Sequence, residues 1–137
     1  MNLKSYLEDN NAQKQISKLA KKCKNKKVVF YGAGDFFYTI KDNYDLSGLN
    51  VVGISDLKFN TNKSENKTEY RALAPDELKT EDYDAIVITL LNDLQILKVL
   101  ENQILKGTKN ENVDIYPIIT PTIKYLISKL FERSKTI

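Results

Sequence analysis

The chain has 137 residues and a formal net charge of +3, with 42% hydrophobic and 28% charged residues. These values are typical of one soluble globular domain with a single core, which we expect to be cytoplasmic. The sequence contains no histidine and one cysteine. This composition excludes Ser-His and Cys-His catalytic pairs, histidine metal ligands and an internal disulfide, so we predict no metal site. No apolar run approaches the roughly 18 residues of a membrane span, and we predict no membrane partner.

Residues 1–25 are predicted to form an N-terminal helix. From Ile16 onward, apolar residues recur at helical spacing through Leu19, Ala20 and Cys23, which indicates one apolar face. Lysines cluster between positions 18 and 27, but no aromatic residue that stacks on bases is interleaved among them. We interpret the lysine cluster as a solvated helix end and predict no nucleic-acid partner.

Five short apolar segments predict the strands of a sheet, and helical patterns or loops separate them. The segments are residues 28–31, 50–55, 70–73, 85–89 and 113–116. Alternation of strands and helices favours a three-layer α/β fold, Rossmann-like, with a five-stranded parallel sheet in the order 3-2-1-4-5. We expect one domain in which residues 26–119 form the sheet core and residues 120–137 form a C-terminal helix.

Two further helices and one loop follow from the pattern of apolar residues. Residues 57–69 are polar and patternless, which predicts a loop. Asn92 is placed to cap a helix that runs to Gly107. The apolar face predicted for it contains Leu94, Leu97, Leu100, Ile104 and Leu105. The last helix, residues 122–134, carries more apolar surface than the edge of a small sheet covers, and we expect a homodimer through it. Its apolar residues are Ile123, Leu126, Ile127, Leu130 and Phe131.

A glycine-rich turn, Gly32-Ala33-Gly34, leaves the first predicted strand and opens a helix. In a doubly wound sheet, ligands bind at the carboxyl ends of the strands, where the strand order reverses. Gly32 permits a tight turn, and Gly34 allows backbone N–H groups to approach a phosphate without an intervening Cβ. The amino end of the helix adds a partial positive charge. The sequence therefore predicts a nucleotide site at this turn.

One further residue, Asp56, supports this prediction, and another, Phe37, argues against it. Asp56 lies 24 positions after Gly32, where a carboxylate accepts hydrogen bonds from a ribose 2′-OH and repels a 2′-phosphate. Phe37 stands where G-x-G-x-x-G has its third glycine, and a ring there is expected to hold the helix farther from the sheet. The alternative interpretation is an inherited turn that binds no ligand.

The segments KKVVFYGAGDFF, NVVGISD, APDEL and YDAIVIT resemble the small Rossmann-like domains of bacterial sugar-modifying proteins. These include the N-terminal domains of nucleotide-sugar acyltransferases and the dehydratase- or epimerase-like proteins of polysaccharide biosynthesis. The resemblance covers residues 26–119 and implies binding of NAD(P) or a nucleotide-sugar. The acyltransferase relatives also carry hexapeptide repeats, which this sequence lacks, so acyltransferase activity is not inferred. The candidate binding residues are Gly32, Ala33, Gly34, Asp35, Phe36, Ser55, Asp56 and Thr89.

No catalytic residue is assigned from the sequence. Tyr125 and Lys129 match the Y-x-x-x-K spacing of short-chain dehydrogenases. However, a sequence with eight tyrosines and many lysines is expected to contain such a match by chance. We interpret the pair as a packing tyrosine and a surface lysine. The acidic cluster between Asp76 and Asp84 is interpreted as exposed acids around a helix start. The leading hypothesis is therefore a binding module. The alternatives are a small NAD(P)-dependent sugar-nucleotide oxidoreductase or epimerase, and an interaction domain without a ligand.

Overall fold

Five parallel strands form the sheet in a computed structural model, which describes residues 1–135. The strand order is 3-2-1-4-5, which confirms the predicted α/β topology. The strands are β1 (Val28–Tyr31), β2 (Val51–Ser55), β3 (Ala72–Leu73), β4 (Ala85–Ile88) and β5 (Asp114–Pro117). All four residues of β1 and of β4 are buried, because helices or loops cover both faces of these central strands.

Five α-helices accompany the sheet within the described residues. They are α1 (Leu3–Asp9), α2 (Ala12–Lys22), α3 (Asp35–Asn43), α4 (Asp93–Val99) and α5 (Ile123–Lys135). Three short 3-10 helices, Leu57–Asn60, Lys63–Glu65 and Pro75–Lys79, occupy the connections on either side of β3. The segment predicted as a patternless loop therefore has local structure, and its Phe59 is buried.

The single helix predicted for residues 1–25 is wrong, because the chain turns a corner at Asn10 and Asn11. Asn11 adopts a left-handed conformation with a φ of 53°, which asparagine tolerates better than most residues. The Asn10 side chain is buried. Its Nδ2 donates to the Tyr6 carbonyl at 2.8 Å, and its Oδ1 accepts from the Thr122 N–H at 2.8 Å. The corner is thus held by a residue more than a hundred positions away.

Two apolar clusters pack against the two faces of the sheet. The first joins α1, α2 and α3 to the face that carries Phe30, and it contains Phe37 and Ile40, which are both fully buried. The second joins the opposite face, with Val29 and Ile86, to residues that include Leu78 and Leu100. The division into three layers follows from the alternation of side chains along each strand.

A π-helical turn (Leu100–Ile104) continues α4 and changes which residues point inward. The Leu105 N–H donates to the Leu100 carbonyl five residues earlier, at 2.8 Å. Leu100 and Leu105 are fully buried, whereas Leu94 is 73% exposed. The predicted apolar face of this helix is therefore correct at its carboxyl end and wrong at Leu94.

The apolar side of α5 faces outward from the domain. Tyr125 attaches the helix to α1 through an edge-on contact with Tyr6, with ring centroids 5.3 Å apart. The large apolar residues on the remaining surface are 49–78% exposed: Ile123, Leu126, Ile127, Leu130 and Phe131. Among the described residues, no helix combines the length and apolar character needed to cross a bilayer.

Replacing Leu100 by Ala should lower the free energy of unfolding by about 2–5 kcal/mol, because it leaves a cavity in the second apolar cluster. Leu57→Ala serves as the matched control, since Leu57 is 65% exposed, and its effect should stay within about 0.5 kcal/mol. Urea denaturation of both variants measures the difference. Equal effects would contradict the packing described here.

Candidate functional site

The turn after β1, residues 32–35, is called the glycine loop below, and the neighbouring strands hold it on both sides. The Gly32 N–H donates to the Ser55 carbonyl at the end of β2, at 2.8 Å. On the other side, the Thr89 N–H donates to the Tyr31 carbonyl at 2.9 Å, and the Thr89 hydroxyl donates to the Gly32 carbonyl at 2.6 Å. The glycine loop therefore sits at the carboxyl edge of the sheet, where the strand order reverses between β1 and β4.

Gly32 is required by the backbone and by its neighbours. Its φ of 125° is rarely adopted by residues with a side chain. A Cβ at this position would lie 2.6 Å from Cγ of Leu90 and 2.7 Å from the carbonyl oxygen of Thr89. Any larger residue would force the end of β4 away from the turn. Gly32 therefore serves the fold, whether or not a ligand is present.

Gly34 differs from Gly32 in both respects. Its φ of −108° is accessible to any residue, and a Cβ built on it has no heavy atom within 4 Å. Gly34 is also the residue that precedes α3, and among the described residues no side chain caps that helix. By contrast, Asn2 caps α1 by accepting a hydrogen bond from the Ser5 N–H. The amino end of α3 therefore retains hydrogen-bonding capacity, beside a position that has room for further atoms.

Asp56 follows β2 and bonds to the glycine loop directly. Its Oδ2 accepts from the Ala33 N–H at 2.8 Å, and its Oδ1 accepts from the Lys58 N–H at 3.0 Å. The carboxylate thus fastens the loop to the 3-10 helix after β2. Each carboxylate oxygen can accept a second hydrogen bond, so capacity for a ligand hydroxyl remains. The N–H of Ala33, however, is already engaged and is not free for a phosphate.

Lys58 is the residue of this site that the sequence analysis missed. Its Nζ donates to the Ala33 carbonyl at 2.5 Å, which brings an ammonium group to the glycine loop. Lys58 lies 25 positions after Ala33, and no motif marks it. The glycine loop and the residue after β2 also supply two acids, the exposed Asp35 at the start of α3 and Asp56.

The remaining candidate residues fall into different roles. Ser55 is fully buried, and its hydroxyl has no hydrogen-bond partner among the described residues. The hydroxyl of Thr89 is used internally by the bond to Gly32. Phe36 turns its ring into the core, 6.4 Å from the Tyr6 ring between centroids, so only its backbone faces the loop. The structure thus brings all eight candidates to one edge, but leaves few of their side chains available.

Phe37 fills the interface between α3 and β1 with its ring. It is fully buried, and its centroid lies 5.6 Å from that of Phe30 on β1 and 6.4 Å from that of Tyr70. A glycine at this position would allow the helix to approach the strand more closely. Here the helix and strand pack through aromatic side chains instead.

The acidic, lysine and tyrosine side chains considered as catalytic groups form ion pairs or packing contacts instead. Lys63 pairs with Glu77, and Lys27 pairs with Asp82; each hydrogen bond holds the pKa of its acid below the ordinary value. Lys129 lies over the Tyr125 ring, 5.4 Å from its centroid, and pairs with Glu132.

Cys23 is equally unsuited to catalysis. The residue is buried at the end of α2, and burial raises the pKa of its thiol despite the nearby lysines. A thiol with a raised pKa is a poor nucleophile at neutral pH.

The two glycines should respond oppositely to alanine. Gly32→Ala should lower the free energy of unfolding by about 2–5 kcal/mol, through backbone strain and the close contacts with Leu90 and Thr89. Gly34→Ala should change it by less than about 1 kcal/mol, or raise it slightly, because the space is open and the unfolded chain loses freedom. Chemical denaturation measures both. A large loss of stability in Gly34→Ala would show that a side chain at this position collides with neighbouring atoms.

Comparisons with known proteins assign no family. No protein-family model, curated protein sequence or solved structure matches this chain. The fold and the geometry of the glycine loop are therefore the features from which a function can be inferred.

Proposed function

We propose that this domain binds a nucleotide or a nucleotide-sugar at the carboxyl edge of the sheet, with the glycine loop against the phosphate. The observation that carries the proposal is the open space at Gly34, in front of an α3 terminus that no side chain caps. Neither the backbone nor the packing requires glycine there. Space for a ligand would explain why position 34 is a glycine, since a side chain there would occupy the place where an anion meets the first N–H groups of the helix.

The charges around the loop narrow the class of ligand. Lys58 contributes one cation, and the amino end of α3 adds a partial positive charge that favours a phosphate. Asp56 and Asp35 contribute two acids, which repel a densely charged anion and accept hydrogen bonds from hydroxyls. This combination favours a ligand with both hydroxyl groups and a phosphate diester or pyrophosphate. NAD or a nucleotide-sugar fits this description better than NADP, because of the additional 2′-phosphate.

A binding role is favoured over a complete enzyme. The alternative, an NAD(P)-dependent sugar-nucleotide oxidoreductase or epimerase, needs a positioned acid or base. The Y-x-x-x-K residues instead contact Tyr6 and Glu132, and the acids between Asp76 and Asp84 support the fold through ion pairs. A role in bacterial surface-polysaccharide or nucleotide-sugar metabolism rests on the resemblance of the sequence motifs alone.

Gly34→Val should weaken the binding of the ligand by at least about tenfold, because its branched side chain occupies the anion position while the fold remains intact. Calorimetric titration against NAD, NADP and a panel of nucleotide-sugars measures the loss. Gly34→Ala is the graded control, with a smaller side chain and a smaller expected loss. A melting temperature equal to that of the wild type shows that the loss is not unfolding.

The panel also separates the competing interpretations. Binding of a nucleotide-sugar but not of NAD would mean that Phe37 excludes the dinucleotide. No binding by the wild type to any member would reject the proposal and favour an interaction domain without a ligand. Unchanged affinity in Gly34→Val would show that the ligand binds elsewhere on the domain.

We also propose that two copies of the chain associate through α5. Contiguous exposed apolar surface marks interaction sites, and the five apolar residues of α5 form such a surface. Beside the start of α5 lies an apolar cavity of about 190 Å³, lined by residues that include Leu97, Ile115 and Pro121. One chain thus presents both an apolar ridge and an apolar cavity. Two copies related by a twofold axis can bury both features reciprocally.

Sedimentation velocity at micromolar concentration should show a dimer for the wild type and a monomer for Ile127→Glu, because a buried unpaired carboxylate opposes association. Leu57→Glu, at an exposed leucine on a different segment, is the matched control and should remain dimeric. A wild type that sediments only as a monomer would reject the proposal.

A further inference from the structure

A groove of about 560 Å³ lies between α2 and the segment from Tyr116 to Thr122, which leads from β5 into α5. Its volume falls within the range of about 300–1,000 Å³ that is common for small-molecule sites. The residues of the glycine loop do not line this groove, so it is separate from the proposed nucleotide site. Its chemistry is also different.

Three lysines line the groove from one helix. Lys14, Lys18 and Lys22 follow each other at intervals of four residues, which places them on the same side of α2. No Asp or Glu is among the described residues that line the groove. In the part of the chain that the structure describes, none of the three ammonium groups pairs with a carboxylate. Like charges at this spacing destabilise a helix, and a bound anion would offset their repulsion.

The walls of the groove are held by specific polar contacts. The Gln15 side chain donates to the Thr120 carbonyl at 2.9 Å and accepts from the Thr120 N–H at 2.9 Å. Thr122 opens α5, and its hydroxyl accepts from the Tyr125 N–H at 3.1 Å. The Nζ of Lys22 lies 5.6 Å from the centroid of the Tyr116 ring, across the groove from its own helix. The Gln15 contacts therefore join α2 to the opposite wall of the groove, and the ammonium group of Lys22 lies close to a ring on that wall.

The spacing of the lysines indicates how many anionic groups the groove accommodates. Lys14 and Lys22 are eight residues apart, which corresponds to about 12 Å along a helix axis. A single phosphate matches the reach of two neighbouring lysines, whereas a chain of linked phosphates meets all three. A groove lined by charges of one sign also concentrates ions of the opposite sign. We propose that this groove is a second binding site, for a small ligand that carries two or three linked phosphate groups.

The test is calorimetric titration with sodium tripolyphosphate and, separately, with inorganic phosphate. The wild type should bind tripolyphosphate at least about tenfold more tightly than phosphate, because more charge pairs form. The triple variant K14Q/K18Q/K22Q should weaken tripolyphosphate binding at least about tenfold, with a smaller difference at high salt. Glutamine preserves helix propensity, so the variant should fold.

A matched control removes the same charge elsewhere. K67Q/K98Q/K106Q replaces three exposed lysines that lie outside α2 and do not line the groove, and it should change the affinity less than about threefold, since distant exposed charges are screened. In labelled protein, tripolyphosphate should shift the amide resonances of Gln15 and Thr120. If the groove triple variant does not fold, the single variant Lys18→Gln carries the same comparison with a smaller loss.

Any of three results would reject the proposed second site. The first is no binding of tripolyphosphate by the wild type. The others are a loss of tripolyphosphate affinity, in the control triple variant or in Gly34→Val, equal to that in the groove triple variant. The second of these would mean that net charge alone attracts the anion. The third would assign tripolyphosphate to the glycine loop. Because Gly34→Val should leave tripolyphosphate binding unchanged, each of the two proposed sites can be rejected without rejecting the other.

Discussion

The hydrogen bonds around Gly32 set the geometry of the carboxyl edge of the sheet. Through its N–H and its carbonyl, one residue is tied to the ends of both neighbouring strands, β2 and β4. Its positive φ then directs the chain into α3, and no residue with a side chain fits the same space. The position of Asp56 beside Ala33, and the direction in which the uncapped helix points, both depend on this turn.

Part of the hydrogen-bonding capacity of the glycine loop is already used by the protein itself. In a loop built only for phosphate, consecutive backbone N–H groups face the anion. Here the carboxylate of Asp56 takes the Ala33 N–H, whereas the amino end of α3 has no side-chain cap within residues 1–135. The Ser55 hydroxyl is buried at the end of β2, and it has no hydrogen-bond partner in the part of the chain that the structure describes. Such an edge suits a ligand that donates hydroxyl hydrogen bonds as well as one that carries a phosphate, which is why the proposed ligand is a nucleotide with its sugar rather than a bare anion.

Local signals predicted the sheet and the turn, because both are dictated by residues close in sequence. The apolar runs at β1 and β4 and the glycines of the loop were placed correctly, and the strand ends differ by one or two residues. Lys58 escaped prediction, since its contact with Ala33 is long-range and leaves no pattern. The exposure of Leu94 also escaped prediction, because apolar spacing marks one face of a helix but does not show how far along the helix that face is covered.

The break between α1 and α2 has a consequence for how the chain folds. Asn10 and Gln15 complete their hydrogen bonds only with Thr122 and Thr120, which are 112 and 105 positions away. Contacts of such separation form late, because the chain between them must first be ordered at a cost in entropy. The buried Asn10 amide, left unpaired, would disfavour docking of the first two helices. The helices that come first in the sequence are thus expected to be among the last elements to reach their final positions, after the sheet has brought the end of β5 alongside them.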